Sequence, residues 1–335
     1  MADRPQASLS LDLDNRWAYL RAAGRQDWAD RDSYLPMAVT RITDMLVELN
    51  LPLTVFIVGR DLASSKDRDA IQDFDRLERW EPANHSLNHL PWMHTMDSSE
   101  IEEEIGITEE RIIDVLGRRP LGFRGPGFSC PEEVLRILIA RNYQYDASVF
   151  PTSIAPLARW FFLMKTDLRG EQLEKAKKLY GGFSSLRQPN RPFKRHLHDS
   201  SIWEMPVTVM PFARFPIHMS YVCYLASFSS VAAKTYFNAA LSFCRWTKTS
   251  PSLLLHPPDF MGKEDDADLA HLPGIKMKRN EKLAFMRWAL SRLATQFDVQ
   301  CMIDQLKTLA PDVDPNLAIQ CPDVPRPAFQ ATPCP

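Results

Sequence analysis

The sequence opens with a strand, a helix and a second strand, and this succession limits the chain to folds built on a largely parallel sheet. Leucine alternates with serine and aspartate from Leu9 to Asp14, which is the period of two expected of a strand with one buried face. Apolar residues then recur at helical spacing between Leu35 and Leu49, and the apolar run LPLTVFIVGR at 51–60 indicates a second, buried strand. Such a unit opens an α/β repeat.

Later segments continue this alternation to about residue 300. Helices are predicted over about residues 98–116, 232–246 and 280–296, and strands within YQYDASVF at 143–150, SIWEMPVTVM at 201–210 and SPSLLLHPPDF at 250–260. Residues 154–190 interrupt the pattern with an apolar, aromatic stretch and a polar helix, which together indicate an inserted helical hairpin. We therefore predict one domain over residues 1–310 with this insertion, and a proline-rich tail over 311–335.

The charge balance argues against a nucleic-acid partner. Lys and Arg number 40 against 42 Asp and Glu, and the formal net charge of -2 supplies no basic field for a phosphate backbone.

No apolar run approaches the roughly 20 residues of a membrane-spanning helix. The amino-terminal segment MADRPQASLSLDLDN also lacks the apolar core of a secretory signal, so a cytoplasmic location is expected.

The segment NHSLNH at 84–89 carries two histidines four residues apart, which in a helix would project from one face. Zinc favours imidazole and carboxylate ligands, and a catalytic zinc site uses three protein ligands and leaves one position open. His85, His89 and Asp14 could supply such a set. Two alternatives remain open from these residues alone: the histidines could be ordinary polar residues, and Asp14 a turn carboxylate at the end of a strand.

Five motifs in a fixed order narrow this choice. They are SLDLDN at 10–15, NHSLNH at 84–89, FRGPGF at 123–128, YDASVF at 145–150 and LLLHPPDF at 253–260. In these motifs the chain resembles the polysaccharide deacetylases of the NodB-homology type, also called carbohydrate esterase family 4. The resemblance covers roughly residues 8–300 without the insertion. It implies a deformed (β/α) barrel with a helical insertion, and a site at the carboxyl ends of the strands.

The resemblance also implies a role for each matching residue. These roles are Asp14, His85 and His89 as metal ligands, Asp12 as general base, Arg124 orienting that base, Asp146 holding the arginine, and His256 as general acid. The implied cofactor is one divalent metal ion, with zinc expected and cobalt, nickel or manganese compatible. A backbone N–H near Gly127, in a glycine turn before a helix, is a candidate oxyanion donor, and Phe128 is a candidate pocket residue.

The chain departs from the family pattern at three places. First, Leu13 separates two aspartates that are usually adjacent. Second, Asn15 replaces the glycine that usually follows them, and RGPGF at 124–128 replaces the commoner R-x-P-aromatic run. Third, Phe150 stands where tryptophan is common. These changes leave the substrate open. The remaining histidines match no motif and are expected to be structural or exposed: His94, His196, His198, His218 and His271.

The expected activity is removal of an N-acetyl group from an amino sugar in a glycan or a lipid-linked glycan precursor. The aromatic stretch within residues 154–170 suggests a peripheral contact with the inner face of a membrane or with a lipid-linked substrate. One alternative is a deformylase or a hydrolase of small or cyclic amides, which the Asp-Leu-Asp spacing favours. Another is an inactive barrel that only binds glycans. The sequence does not indicate an oligomeric state.

Overall fold

The computed structural model describes residues 4–154, 187–272 and 274–310. In these residues nine strands form one mixed sheet surrounded by helices, as the α/β prediction requires. The strands are β1 (Gln6–Asp12), β2 (Leu53–Ile57), β3 (Trp80–Asn84), β4 (Gly122–Phe123), β5 (Tyr145–Asp146), β6 (Phe193–Leu197), β7 (Ser200–Glu204), β8 (Ser252–Leu255) and β9 (Asp298–Gln300). All neighbouring strands are parallel except the hairpin of β6 and β7.

The helices pack against the outside of this sheet and across one of its ends. They are α1 (Arg16–Ala22), α2 (Leu35–Leu49), α3 (Ser65–Gln72), α4 (Ser98–Leu116), α5 (Glu132–Ala140), α6 (Met219–Ala226), α7 (Ser230–Trp246), α8 (Arg279–Gln296) and α9 (Met302–Leu309). The periodic apolar patterns predicted α2, α4, α7 and α8 correctly. The strand β9 and the helix α9, which follow α8, were not predicted.

The strand order is β6, β7, β5, β4, β3, β2, β1 and β8, with β9 also paired to β1. Beyond β7 the chain reaches β8, since the Thr208 N–H donates to the Ser252 carbonyl (3.1 Å) and the Ser252 N–H donates to the Thr208 hydroxyl (2.8 Å). The two ends of the sheet therefore approach each other, as in a deformed (β/α) barrel. Parallel strands in this arrangement direct their carboxyl ends toward one rim.

The helix α9 is fixed to the barrel interior through a buried glutamate. Glu81 accepts hydrogen bonds from the Thr54 hydroxyl (2.8 Å), the Tyr145 hydroxyl (2.7 Å) and the Ile303 N–H (3.1 Å). The preceding N–H, that of Met302, donates to the Thr54 hydroxyl (2.8 Å). These bonds satisfy amide groups at the start of α9 that have no partner within the helix.

Residues 155–186 and 311–335 are not among the described residues, so the predicted hairpin lies almost entirely outside them and the predicted tail wholly so. The chain on either side of the first gap is anchored to one turn. The Ser153 N–H donates to the carbonyl of Arg214 (2.9 Å), and the Arg214 side chain donates to the carbonyl of Gln188 (2.9 Å). Among the helices of the described residues, none is both long and apolar enough to span a bilayer.

We predict that Glu81→Gln makes stability less dependent on pH. Burial raises the pKa of Glu81 to about 7, so between about pH 4.5 and 7 the folded chain binds more protons than the unfolded chain, and stability falls as the pH rises. A glutamine can accept from Thr54 and Ile303 and donate to Tyr145, and it carries no charge to bury. Between pH 5.5 and pH 8 the unfolding free energy should fall in both proteins, and the fall should be about 1–3 kcal/mol smaller in the variant than in the wild type.

Urea unfolding at the two pH values measures this difference. The exposed Glu78→Gln is the matched control and should behave like the wild type. Some pH dependence should remain in both variants, because burial also raises the pKa of Asp61 to about 7. Identical pH profiles for Glu81→Gln and Glu78→Gln would contradict the assignment.

Candidate metal and catalytic site

Three side chains converge beyond the carboxyl ends of β1 and β3. Asp14, His85 and His89 each offer one ligand atom, and these atoms lie within 4.8 Å of one another. Oδ1 of Asp14 is 2.9 Å from Nε2 of His89 and 3.3 Å from Nε2 of His85. Asp14 and His85 are buried, and His89 is partly buried. The structure thus brings the three predicted ligands together.

The two histidines do not share a helix, so the helical spacing is not what brings them together. The strand β3 ends at Asn84, and the following residues form an irregular turn in which Ser86 (φ 62°) and His89 (φ 50°) have left-handed backbone. Oδ1 of Asn84 accepts the Ser86 N–H (2.8 Å), and its Nδ2 donates to the Tyr143 hydroxyl (2.8 Å). This buried asparagine fixes the turn, and the turn brings the two imidazole rings to a centroid distance of 5.0 Å.

The donor atoms fit a cation. Nδ1 of His85 lies 2.6 Å from the carbonyl oxygen of Arg124, which can only accept, so Nδ1 carries the hydrogen of the neutral ring. The lone pair of Nε2 therefore faces Oδ1 of Asp14, a buried oxygen that no hydrogen bond reaches. Two facing lone pairs repel unless a cation or a proton lies between them. Two imidazoles and one carboxylate suit zinc, cobalt, nickel or manganese.

The electrostatic environment keeps Asp14 ionised. Burial acts to raise the pKa of Asp14, but the neighbouring imidazoles of His89 and His85 outweigh it and hold the pKa well below its usual value. Burial likewise acts to lower the pKa of His85, but the neighbouring carboxylates of Asp12 and Asp14 prevail and raise it. The site thus favours positive charge close to its carboxylates.

The predicted base, Asp12, is held by a fully buried arginine. Nη1 of Arg124 donates to Oδ1 of Asp12 (2.5 Å) and to the Ser10 hydroxyl (3.2 Å), and Nε donates to the carbonyl of Ala147 (2.9 Å). The guanidinium lies 4.1 Å from the ring centroid of Phe56. Arg124 therefore holds the carboxylate of Asp12, and its role beside a general base stays a prediction.

The second oxygen of Asp12 faces two imidazoles. Its Oδ2 lies 3.9 Å from Nε2 of His85 and 3.9 Å from Nε2 of His256. The predicted acid and the predicted base therefore border a common space next to the three ligands. One oxygen of Asp12 is fixed by Arg124, and the other is directed toward this space.

The predicted contact between Asp146 and Arg124 is replaced by a different pair. In the described part of the chain, Asp146 accepts from the Ser148 hydroxyl (2.5 Å) and from Nη1 of Arg195 (3.2 Å), and no ion pair joins it to Arg124. Arg195 lies on β6, and it also pairs with Glu204 (3.3 Å). The hairpin of β6 and β7 brings this arginine to Asp146, and no motif in the sequence marks it.

His256 follows β8 and ends a row of aromatic rings. Phe128 contacts Phe150 (5.0 Å between ring centroids), Phe150 contacts His218 (5.5 Å), and His218 faces His256 (6.3 Å). Burial, with a smaller contribution from His256, lowers the pKa of His218 to about 3, so the His218 ring is neutral. No motif of the sequence includes His218. Phe128 and Phe150, in contrast, belong to quoted motifs.

The turn around Gly127 is tightly packed. Gly127 has a φ of 58°, and a Cβ at this position would lie 2.9 Å from Cβ of Pro91, so glycine is needed there. The N–H of Phe128 is already used within the turn, where it donates to the Gly125 carbonyl (2.9 Å). The role of Gly127 as an oxyanion donor stays a prediction.

Asn15, which departs from the family pattern, has a structural role. Its Oδ1 accepts the Arg16 N–H (2.8 Å) and thereby caps α1. Its Nδ2 donates to Oδ1 of the buried Asp61 (2.9 Å), which also accepts from Nε1 of Trp17 (2.8 Å). These bonds fix the chain directly after Asp14. Glycine at this position has no side chain that could form them.

Comparison with known proteins agrees with this architecture. Residues 30–147 match the family described as "Polysaccharide deacetylase". A structure from Mycobacterium smegmatis and one from Pseudomonas aeruginosa PAO1, both assigned as polysaccharide deacetylases, share the fold. The first has a TM-score of 0.56 at 17% identity and covers 96% of both chains, and the second has a TM-score of 0.57 at 13% identity and covers 93% of both. A search of curated proteins gives no match.

We predict that His85→Ala and Asp14→Asn each weaken binding of a divalent metal. Loss of an outer partner of a ligand typically costs about 10–100-fold in metal affinity, so loss of a ligand should cost at least that much. Metal content after purification without chelators and equilibrium dialysis against zinc measure the effect. His196→Ala, an exposed histidine on β6, is the control and should bind normally. Wild-type affinity in both ligand variants would exclude this metal site.

Proposed function

We propose that this chain, whose residues 30–147 match the polysaccharide deacetylase family, is a metal-dependent hydrolase that removes an N-acetyl group from an amino sugar. The observation that carries the proposal is the convergence of His85, His89 and Asp14 with the side chains of Asp12 and His256 on one space. A site that only bound glycans would need neither a base nor an acid next to a ligand set.

The metal and the chain divide the chemistry between them. A divalent cation bound by Asp14, His85 and His89 would polarise the amide carbonyl and lower the pKa of a water molecule. Asp12 is suited to take the proton from the attacking water, because Arg124 occupies only one of its oxygens. Fixing the carboxylate in advance also avoids its reorganisation during the reaction.

His256 is suited to protonate the departing amine. An amide cannot expel an unprotonated amide ion near neutral pH, so the leaving nitrogen needs an acid. Nε2 of His256 lies 3.9 Å from Oδ2 of Asp12, the same oxygen that lies 3.9 Å from Nε2 of His85. Histidine is the side chain whose ordinary pKa allows both protonation states near pH 7.

Acetate release from N-acetylated glycans tests this proposal. We predict that Asp12→Asn retains the metal but lowers kcat by about 100-fold or more, because it removes the base and leaves the ligands in place. Metal content measured on the same sample separates loss of chemistry from loss of the ion. Undiminished turnover in this variant would move the base role to another residue, and absence of acetate release from every wild-type reaction would reject the deacetylase activity.

A second candidate, hydrolysis of a formamido sugar or of a small or cyclic amide, is favoured by the Asp-Leu-Asp spacing at 12–14. The same metal, base and acid would serve these reactions. Measuring formate and ring-opened products beside acetate on a small substrate panel separates the two. The third candidate, an inactive glycan-binding barrel, would be favoured by glycan affinity without turnover under any of the four metals.

A lipid-linked substrate is a finer proposal, supported by an exposed aromatic trio of Phe212, Phe243 and Trp246. These side chains are 71%, 37% and 73% exposed, and their ring centroids lie 5.6–6.5 Å apart. Arg191 donates to the carbonyl next to Trp246, and Arg245 precedes it. Aromatic residues flanked by cations suit an anionic lipid surface. Phe212 of this trio also lies in the turn whose Arg214 contacts the chain on both sides of residues 155–186.

We predict that the wild type sediments with vesicles containing anionic lipid, and that the double variant Phe212→Ser, Trp246→Ser loses at least about 10-fold of this binding. Each buried aromatic side chain contributes about 1.5–3 kcal/mol when removed from water. Phe228→Ser, which removes an aromatic ring that is 73% exposed outside the trio, is the matched control. Failure of the wild type to bind, or equal binding by both variants, would reject the lipid surface.

A further inference from the structure

The imidazole of His256 is held by a serine on the side away from the reacting space. The Ser220 hydroxyl lies 3.0 Å from Nδ1, whereas Nε2 on the opposite side of the ring faces Asp12. The backbone N–H of His256 donates to Oδ2 of Asp259 (2.8 Å). Both the ring and its backbone are therefore fixed by residues outside the set assigned so far. Ser220 lies in α6 and belongs to none of the five motifs.

Asp259 is a rigid, buried carboxylate beside this serine. It is 2% exposed and lies in a turn that begins with two prolines, and Nζ of the buried Lys282 donates to the carbonyl of Pro258 in the same turn (2.9 Å). Burial raises the pKa of Asp259, although His256, a hydrogen bond from the Ser220 hydroxyl and the charge of Lys282 act to lower it. The Ser220 hydroxyl is therefore close to both this carboxylate and Nδ1 of His256.

The hydrogen of the Ser220 hydroxyl has two potential acceptors. An ionised carboxylate can only accept hydrogen bonds, whereas an imidazole nitrogen can donate or accept according to its tautomer. The lower-energy arrangement gives the hydroxyl hydrogen to Asp259 and leaves a serine lone pair facing Nδ1–H of His256. This arrangement also stabilises the ring when both nitrogens are protonated.

We propose that Ser220 is a positioning residue that links Asp259 to Nδ1 of His256 and thereby fixes the tautomer and direction of the general acid. The inference rests on the proposed function, in which Nε2 carries the proton for the leaving group. When the C–N bond breaks, its electron pair goes to nitrogen, which takes the Nε2 proton. The hydrogen on Nδ1 stays in place, bonded to Ser220, so the neutral ring left behind is the tautomer that the serine favours.

This role makes a prediction that depends on the leaving group. An amide needs its nitrogen protonated, but 4-nitrophenyl acetate releases a stable phenolate without an acid. Ser220→Ala should therefore lower kcat for the amide by about 10-fold or more with little change in KM, and should lower ester hydrolysis less than about 2-fold. Equal losses on the two substrates, or no loss on the amide, would overturn the proposal.

Two variants control for damage to the helix. Ser220→Thr retains the hydroxyl and should recover most of the amide activity, which a purely structural role of the small side chain would not allow. Ser227→Ala removes another hydroxyl at the end of α6, one whose bond is to the local carbonyl of Tyr224, and should behave like the wild type on both substrates.

The tautomer can be read without catalysis. In protein labelled with ¹⁵N-histidine, the signal of His256 is identified by its loss in His256→Gln. At a pH where the ring is neutral, this signal in the wild type should be that of the Nδ1–H tautomer. Ser220→Ala should shift that signal toward the other tautomer. An Nε2–H tautomer in the wild type, or no change in the variant, overturns the serine linkage. An inactive wild type with the expected spectra would instead reject the proposed function alone.

Discussion

The buried guanidinium of Arg124 is the contact on which the rest of the site depends. Its side chain fixes Asp12 of β1 and bonds the carbonyl of Ala147 just beyond β5, while its own backbone carbonyl holds Nδ1 of His85. The proposed base and one proposed ligand are therefore held by a single residue after β4. Because this arginine is completely excluded from water, its charge is stable only if these partners stay in place. Its position couples the assembly of the barrel to the geometry of the site.

Charge balance explains why a cation belongs next to this arginine. Asp12 and Asp14 are two residues apart and both are buried, and the guanidinium neutralises only the first. The second faces two imidazole nitrogens, and one of these presents a lone pair because its ring hydrogen is used elsewhere. Burying such an arrangement without positive charge would be costly. A divalent ion would remove that cost and, in the proposed function, would supply the electrophile that amide hydrolysis needs.

The local parts of the fold were predictable where one pattern dominated. The helices α2 and α4 have a continuous apolar stripe, and β1 has a strict alternation, so their position followed from periodicity. Periodicity failed at α9, which is eight residues long and starts where Glu81 and Thr54, both more than 200 residues earlier, satisfy its first amides. It failed again at His85 and His89, because the turn there is imposed by the bonds of Asn84 to Ser86, Ile105 and Tyr143.

The sequence by itself determined the succession of strands and helices that builds the barrel. It also determined which chemical groups follow the strands, namely carboxylates, imidazoles and an arginine. Only the tertiary structure decided which of these groups meet. Arg124 and Asp12 are 112 residues apart, Arg195 replaces Arg124 as the partner of Asp146 at a separation of 49, and Ser220 approaches His256 across 36. Contacts of this kind depend on strand order and on the desolvation of each charge, and neither has a local signature in the chain.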